Sequence, residues 1–468
     1  MIDFADKFRP GAIFERHAEG TLLERGALPG TDERDESKET GSHPLAYAGL
    51  FLFTLLLYVR PNELFPDFFG VFPIMKIVAT LTLIVYIAGK LGHGERLSIW
   101  PLEMSMLAVI ILLGIILTPV SAAPSASVDL LTDTFFKVVV IFVLMINLVD
   151  TRRRLMMMMK LVVICGTGIS VGSIYKFVEG KFTATVQGIG VRIEGTVGGI
   201  FGNPNDLAMA LDLLLPLAIV LALTSKAAGR VFYFSCAFFL ALGTVVTFSR
   251  GGFLGLAAAG GVLLWKLGRN NKLSAAMAAL AASLVLAMSM PAGYADRLFT
   301  IIHTEKDSTN SAQERQGELK QALDLAMRHP FIGIGLGNYP FYSNHAIRAH
   351  NAYVEIAAEL GVSGLIAYLI LIFAPLRTLK RIERERSGAG TRERQLRLLS
   401  AGVHAAIIGY VVCAIFSSAQ YQWYLFYVVG YALSLRKLHT IKKAEVAPVA
   451  KEVESKEGML WKHEAVRG

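Results

Sequence analysis

The sequence predicts an all-α integral membrane protein with about twelve transmembrane helices. The first observation is composition: of 468 residues, 54% are hydrophobic and only 18% are charged, and the mean hydropathy is +0.50. Soluble domains usually carry about 25% charged residues. The second observation is that the apolar residues form runs close to the roughly 20 residues that cross a bilayer. The third is the distribution of Lys and Arg between these runs.

The apolar runs give the order of the predicted spans. The first contains LAYAGLFLFTLLLYV and the last WYLFYVVGYALSL. Runs of this length are typical of membrane-spanning helices. The predicted cores are residues 45–59, 71–89, 102–122, 129–149, 155–176, 206–224, 231–248, 252–267, 274–290, 353–376, 398–417 and 423–436.

The connections between the runs alternate in charge. Every second one is basic, whereas SAAPSASVDLLTD and SSAQYQ on the opposite side contain no Lys or Arg. Because basic residues beside spans stay in the cytoplasm, both termini are predicted to be cytoplasmic. The net charge of +9 is then explained by orientation and by attraction to anionic membrane lipids, and no nucleic-acid partner is predicted.

This alternation divides the chain into five segments. Residues 1–44 mix both charge signs with Gly and Pro and are predicted to be a flexible cytoplasmic tail. Residues 45–176 are predicted to form an N-terminal transmembrane bundle, residues 177–376 a region in which the functional site is expected, and residues 377–437 the C-terminal transmembrane helices. Residues 438–468 are a second cytoplasmic tail.

The region of residues 177–376 contains two long outward loops. The second, residues 291–352, contains a helical pattern. Ser311 and Glu314 have the spacing of a capping box, and Pro330 ends the pattern. An amphipathic helix of about four turns is predicted, lying over the bundle as a lid. Its apolar residues at helical spacing are Leu319, Ala322, Leu323, Ala326 and Met327.

Three arginines are candidates for holding an anion on the outward side. Arg250 lies in TFSRGGFLGL, at the turn between the seventh and eighth spans. Arg315 is four residues before Leu319, on the apolar face of the predicted helix, which aims it toward the bundle. Arg192 belongs to the first long loop. A guanidinium binds phosphate or pyrophosphate through two donors at once; the alternative is an arginine that only reaches toward lipid headgroups.

A His-Asn pair precedes the tenth span. Asn351 is predicted to be the helix N-cap, which places His350 beside a positive helix end that opposes protonation and favours a neutral imidazole. A neutral imidazole can accept a proton. The alternative is a histidine that serves only as a polar interface residue. Glu355 and Glu359, four residues apart on one face, are interpreted as structural or orienting partners.

The start of the sixth span, in GGIFGNPNDLAMAL, is rich in residues that form turns and caps. Asn203 and Asn205 are candidates for substrate binding, but turn formation and helix capping are sufficient to explain them and are the favoured interpretation. No metal site is predicted, because Cys165, Cys236 and Cys413 all fall inside apolar runs without metal-ligand spacing. No cofactor is predicted either.

Taken in order, FGNPNDLAMAL, TFSRGGFLGL, RHPFIGIGLGNYP and AHNAYVEIAAELGVSGL resemble the O-antigen ligase and polymerase superfamily. The resemblance spans about residues 190–376 and implies that the region of residues 177–376, with its loop 291–352, is the catalytic region. Its most specific part is His350 and Asn351, followed after nine residues by Gly361 and after two more by Gly364. The resemblance implies a fold similar to the GT-C membrane glycosyltransferases, in the inner membrane of a bacterium, with the active site on the periplasmic face.

The resemblance also implies a reaction. A glycan passes from an undecaprenyl-pyrophosphate carrier to an acceptor hydroxyl, with inversion and without a metal. His350 matches the family's essential histidine, and Arg250 and Arg315 match arginines assigned to the pyrophosphate. Arg192 and Asn351, with the two asparagines described above, are the remaining candidates for substrate binding. The acceptor stays open: a lipid A core in lipopolysaccharide, a growing O-antigen or exopolysaccharide, or a protein hydroxyl, as in a protein O-oligosaccharyltransferase.

A polytopic transporter or flippase of lipid-linked glycans is the rival from another class. Transporters place their important charges inside spans near mid-membrane, whereas the candidates in this chain lie at the outer ends of spans. Lys76 and Lys137 are the exceptions within or near predicted spans.

Overall fold

The computed structural model describes residues 41–69, 73–181, 184–186, 189–196, 198–269, 272–288, 294, 311–343, 347–385 and 390–441. The predicted tails therefore lie outside the described residues, apart from 41–44 and 438–441. The predicted loop 291–352 is described from residue 311 onward, except for residues 344–346, and at residue 294.

The described part of the first half of the chain is helical, with one small hairpin. The helices are α1 (Pro44–Val59), α2 (Pro61–Leu64), α3 (Pro66–Phe69), α4 (Ile74–Gly92), α5 (Leu102–Leu117), α6 (Pro124–Asp129), α7 (Phe136–Leu148) and α8 (Arg152–Val178). A 3₁₀ turn, Thr118–Val120, follows α5, and a π-helical turn, Leu130–Phe135, joins α6 to α7. Strand β1 (Ala184–Val186) pairs antiparallel with β2 (Ile189–Arg192) in the first long loop. This hairpin is the one departure from the predicted all-α architecture in the described chain.

The second half contains the long helices that carry the candidate site. They are α9 (Pro204–Thr224), α10 (Ala227–Val246), α11 (Arg250–Gly268), α12 (Lys272–Met288), α13 (Ser311–Arg328), α14 (Tyr339–Tyr342), α15 (Ala352–Arg384) and α16 (Thr391–Cys413). A final helix, α17, occupies residues 423–441.

Nine helical segments in the described chain are long and apolar enough to cross a membrane: α1 with α2, α4, α5 with its 3₁₀ turn, α8, α9, α10, α11, α15 and α16. The other three predicted spans coincide with the segment from α6 to α7, with α12 and with α17. The prediction of a multi-pass, predominantly helical membrane protein is confirmed. The number twelve and the GT-C-like arrangement stay predictions.

Helix α9 lies at the centre of the bundle. Of the 18 consecutive residues that are most apolar in α9, 83% are buried, which is the largest share among the nine segments. It packs against α10, α11 and α16. Pro204 at its first position has the fixed φ that suits a helix start. Asn205, in the first turn of α9, is accordingly buried.

Polar contacts define the two ends of the bundle. At one end Ser249 joins the start of α11 to Asn205 in α9 through a hydrogen bond of 2.9 Å. At the other, both terminal nitrogens of Arg436 in α17 donate to the carboxylate of Glu103 in α5 at 3.1 Å. We call the first end the His350 side, because α15 also begins there. At the second end of the bundle, the last turns of α11 and α15 contact each other through the ion pair of Lys266 and Glu383. The predicted basic connections follow these two helices.

Lys76 and Lys137 share one partner. Their Nζ atoms lie 3.3 and 3.0 Å from the carboxylate oxygens of Asp133, in the π-helical turn. All three side chains are at least partly exposed. These contacts give the two lysines a local explanation as ion pairs.

The predicted helix in the second long loop is present as α13, but its packing differs from the expected face. Glu318 and Ala322 are buried, whereas Leu319, Leu323 and Met327 are exposed. Ala322 packs in a cluster with Ala358 of α15 because its small side chain allows close approach. The Tyr339 hydroxyl donates to the Glu318 backbone and side-chain oxygens at 2.8 and 2.9 Å. The hydrogen bonds between Tyr339 and Glu318 and the small side chain of Ala322 therefore determine which face of α13 is buried.

Candidate functional site

Three helix starts converge on the His350 side around the loop of residues 414–422, which joins α16 to α17. The Ser417 hydroxyl donates to Asp206 in the first turn of α9 over 2.8 Å. The neighbouring Ser418 hydroxyl donates to Glu355 in the first turn of α15. Since α9 is also bonded to the start of α11, the loop 414–422 and α9 link the three sequence motifs into one network.

Each of these helices begins with a side-chain cap. Asn203 accepts a hydrogen bond from the backbone N–H of Asn205 over 2.8 Å. Asn351 accepts from the N–H groups of Tyr353 and Val354, both at 3.0 Å. Ser249 accepts from the N–H of residue 252 over 3.1 Å. The predicted capping by Asn203 and Asn351 is confirmed, and Asn205 has a different function, since its buried side chain joins α9 to α11.

The backbone is strained beside both of the most specific motifs. His350 has a φ of 53° and Phe248, two residues before Arg250, a φ of 54°. Non-glycine residues rarely adopt this left-handed region, and such strain costs about 1–3 kcal/mol unless the surroundings hold it. Only four non-glycine residues in the described chain have a positive φ, so two of them at the predicted site is a pattern typical of functional positions.

Glu355 holds the chain that leads to His350. Its side chain is fully buried, and it accepts hydrogen bonds from Arg348 Nε at 2.6 Å and from the Ala349 N–H at 2.9 Å. On its other side it accepts from Gln420 Nε2 at 2.9 Å, in addition to Ser418. Four donors from two segments therefore fix the two residues before His350 against the loop 414–422.

Arg348 is charged in this setting. Burial lowers the pKa of its guanidinium, but the carboxylates of Glu355 and Glu359 raise it by more, so the pKa lies above its ordinary value. The side chain is 42% exposed, although its Nε atom donates to the buried carboxylate of Glu355. Arg348 therefore combines a structural ion pair with a partly accessible positive charge two residues from His350.

Glu359 performs a similar task one turn further along α15. It is fully buried and accepts from the Tyr421 hydroxyl at 2.6 Å and from the Tyr339 N–H at 3.2 Å. Burial and the Glu359 carboxylate raise the pKa of the Tyr421 hydroxyl well above its ordinary value, which keeps it a donor. The contacts of Glu355 and Glu359 agree with the orienting interpretation of both residues.

Helix α15 is broken at Gly361, whose φ of 69° and ψ of −173° are not helical. The break frees carbonyls of the preceding turn, and the N–H groups of Ile334 and Gly335 donate to the carbonyls of Ala358 and Glu359, both at 2.9 Å. A Cβ atom at Gly361 would lie 2.7 Å from the Phe331 carbonyl oxygen. Because Gly361 has no side chain, the segment of residues 330–337 can pack against α15 at the break.

The predicted arginines lie in different settings. Arg250 is the first residue of α11 and is partly buried. Arg315 is the fifth residue of α13 and is also partly buried, and α13 packs against α15. Arg192 ends strand β2, and its side chain lies outside what the structure describes. The roles of the predicted site residues stay predictions.

Several residues at the site were not predicted from the sequence. Arg348 lies beside the His-Asn pair and could have been noticed as a charge next to a span, but its partner is seven residues away in a helix. Ser417, Ser418 and Gln420 belong to the uncharged connection SSAQYQ, and no spacing in the sequence shows their contacts with α9 and α15. Within the part of the chain that the structure describes, no group of three or more His, Cys, Asp or Glu side chains is arranged to hold a metal ion.

Comparison with known families finds a match to the central part of the chain. Residues 235–369 match a family model described as O-Antigen ligase. The match covers less than a third of the chain and includes Arg250, Arg315 and His350, whereas Asn203 and Asn205 precede it. No curated protein matches the chain. The family match confirms the predicted resemblance to the O-antigen ligase and polymerase superfamily and supports a membrane glycan transferase of the ligase or polymerase type.

Proposed function

From this resemblance we propose that the protein transfers a glycan from an undecaprenyl-pyrophosphate carrier to an acceptor hydroxyl, on the periplasmic face of a bacterial inner membrane. The observation that supports the proposal most is the convergence of three motif-bearing helix starts around the loop 414–422. It brings a candidate base and a candidate anion-binding arginine to the same end of the bundle.

The leaving group determines what the site must supply. A lipid pyrophosphate is already a stable anion, so it needs positive charge more than it needs a general acid. Arg250 stands at the first position of α11, where the positive end of the helix dipole also favours an anion. Arg315 adds a second guanidinium from α13. We propose that these two arginines hold the pyrophosphate and that the reaction uses no metal.

The acceptor hydroxyl is a weak acid and is helped by a base. His350 takes the hydroxyl proton on an imidazole nitrogen while the acceptor oxygen bonds to the anomeric carbon. The bond from that carbon to the pyrophosphate oxygen breaks, and its electron pair leaves with the lipid pyrophosphate. A single displacement of this kind inverts the anomeric configuration. Asn351, by capping α15, fixes where the helix begins relative to His350.

The proposal leaves three acceptors: a lipid A core, a growing O-antigen or exopolysaccharide, and a protein hydroxyl. In this mechanism Arg250, Arg315 and His350 act on the donor and on the reacting hydroxyl, which all three acceptors share. A deletion strain identifies the acceptor through the glycan that disappears and the molecule to which it was attached. Accumulation of the lipid-linked glycan on the periplasmic face supports a transferase, and accumulation on the cytoplasmic face supports a flippase instead.

The direct test compares two histidines on the same stretch of chain. His350→Ala is expected to abolish glycan transfer in cells and in membrane fractions while the protein still inserts and accumulates. His329→Ala is the matched control, because His329 is exposed just after α13, and it is expected to retain transfer. Normal transfer by a stably inserted His350→Ala protein contradicts the proposal.

A further inference from the structure

Helix α13 exposes an apolar surface instead of burying it. Leu319, Leu323 and Met327 are 36%, 49% and 65% exposed, and they recur every four residues along one flank of the helix. Phe331 and Ile332, directly after the helix, are 81% and 65% exposed. We call these five residues the apolar flank. A contiguous apolar surface of this kind marks a contact with a partner or a membrane.

The apolar flank cannot turn inward without breaking the contacts of the neighbouring face. Ala322 is fully buried against α15. Glu318 is almost fully buried and is bonded to the Tyr339 hydroxyl. Helix α13 is therefore fixed in rotation about its own axis, and the exposure of the apolar flank is a property of the packed state.

The apolar flank is continuous with the surface of a candidate span. The N–H of Val362 donates to the Pro330 carbonyl over 2.7 Å, which places Phe331 beside the first exposed apolar residues of α15 after its break. Val362 and Ile366 are 46% and 51% exposed on that helix. An exposed apolar surface on a span faces lipid.

We propose that the apolar flank is immersed in the acyl chains of the membrane leaflet on the His350 side. Helix α13 is then an interfacial helix, with one face on the bundle, the flank in lipid and a polar face toward water. Lys320 is exposed and Arg328 is 70% exposed, as expected of a polar face in contact with water and headgroups. The predicted lid is accordingly anchored at a fixed depth in the leaflet.

The test introduces one additional cysteine at a time into the full-length protein and labels it with an environment-sensitive NBD fluorophore. The protein is reconstituted in phosphatidylcholine nanodiscs with or without bromine on the acyl chains, since bromine quenches only labels in contact with those chains. Leu323→Cys and Met327→Cys place labels on the apolar flank. Gly317→Cys is the matched control on the same helix, because a Cβ there meets nothing within 4 Å. Wild-type protein measures the background labelling of Cys165, Cys236 and Cys413.

Labels at residues 323 and 327 are expected to be quenched by brominated lipid at least about twofold more than the label at residue 317. Equal quenching at all three positions, or none at any, overturns the proposal. If the labels on the apolar flank are insensitive to brominated lipid but become shielded when a polyprenyl pyrophosphate is added, the surface binds the donor's tail and the proposal is also overturned. None of these readouts depends on catalytic activity, so the result is independent of the proposed function.

Discussion

The Nε atom of Arg348 donates a hydrogen bond of 2.6 Å to Oε1 of Glu355. Arg348 lies just before α15, and Glu355 lies in its first turn. The same carboxylate accepts from the backbone of Ala349, so both residues before His350 are held by one buried acceptor. His350 itself has a left-handed backbone, a conformation that persists only when its neighbours are fixed. The position of the proposed base therefore depends on Glu355.

Replacement of Glu355 tests this dependence. Glu355→Ala leaves Arg348, the Ala349 N–H and two side chains of the loop 414–422 without their acceptor, so it is expected to lower turnover about 100-fold or more. The buried Ala349 N–H and Gln420 amide also lose their acceptor, which destabilises the protein by about 1–3 kcal/mol. Glu355→Gln keeps an acceptor oxygen and is expected to recover part of the turnover. Turnover and thermal unfolding are measured together on both variants.

A positioning role for Glu355 predicts that folded Glu355→Ala protein loses kcat. A purely structural role predicts instead that less folded protein is obtained. Wild-type turnover in Glu355→Ala protein that unfolds at the normal temperature contradicts the positioning role. A loss confined to protein yield, with normal kcat in the folded fraction, assigns Glu355 to stability alone.

Arg315→Lys tests the binding of the pyrophosphate by a planar fork. Lysine retains the positive charge but offers a single ammonium group, so turnover is expected to fall about tenfold or more, with normal membrane insertion. Arg328→Lys is the matched control at the other end of α13, where the arginine is 70% exposed and paired with Asp324, and it is expected to have no effect. Equal activity of both variants argues against a bidentate contact at Arg315.

The hydrogen bond between Asn205 and Ser249 is expected to couple two motifs. Asn205→Ala and Ser249→Ala each remove one partner of a buried bond of 2.9 Å, at a cost of about 1–3 kcal/mol of stability. The double variant is expected to cost less than the two single changes together, because each removes the same interaction. Thermal or denaturant unfolding of all four proteins measures the coupling. Strict additivity indicates that Asn205 acts through another contact.

The helices and the His-Asn cap could be predicted because they depend on local sequence. Apolar runs of sufficient length specify spans, and an asparagine before an apolar run specifies a cap, as at Asn351. The resemblance to a known family rested on the same local spacing. The rotation of α13 could not be predicted in this way, because it depends on Tyr339 bonding to Glu318 and on the small side chain of Ala322.

The network around Glu355 was beyond sequence reasoning for a different reason. Its partners Ser418 and Gln420 are more than 60 positions away, and only packing of α15, α16 and α17 brings them within reach. Glutamate near a helix start is favourable in its own right, so its presence there carried no signal of further contacts. The β-hairpin was missed because its strands of three and four residues are too short to give a clear alternating pattern.

Gly361→Ala tests the break in α15. At a φ of 69°, any Cβ atom is strained, and at this position it would also lie 2.7 Å from the carbonyl oxygen of Phe331. The segment of residues 330–337 must move away, which breaks the hydrogen bonds of Ile334 and Gly335 to α15. We expect a stability loss of at least about 1–3 kcal/mol together with a loss of transfer.

Gly260→Ala is the matched control for the broken helix. Gly260 lies within α11, and a Cβ there meets nothing within 4 Å, so alanine is expected to leave transfer unchanged and to add up to about 1 kcal/mol of helix stability. If Gly361→Ala behaves in the same way, α15 tolerates an unbroken helix at this position. If Gly361→Ala loses transfer and stability whereas Gly260→Ala does not, the spacing between His350 and Gly361 has a physical basis. This spacing sets the distance from the start of α15 to its break, where residues 330–337 and the apolar flank contact the helix.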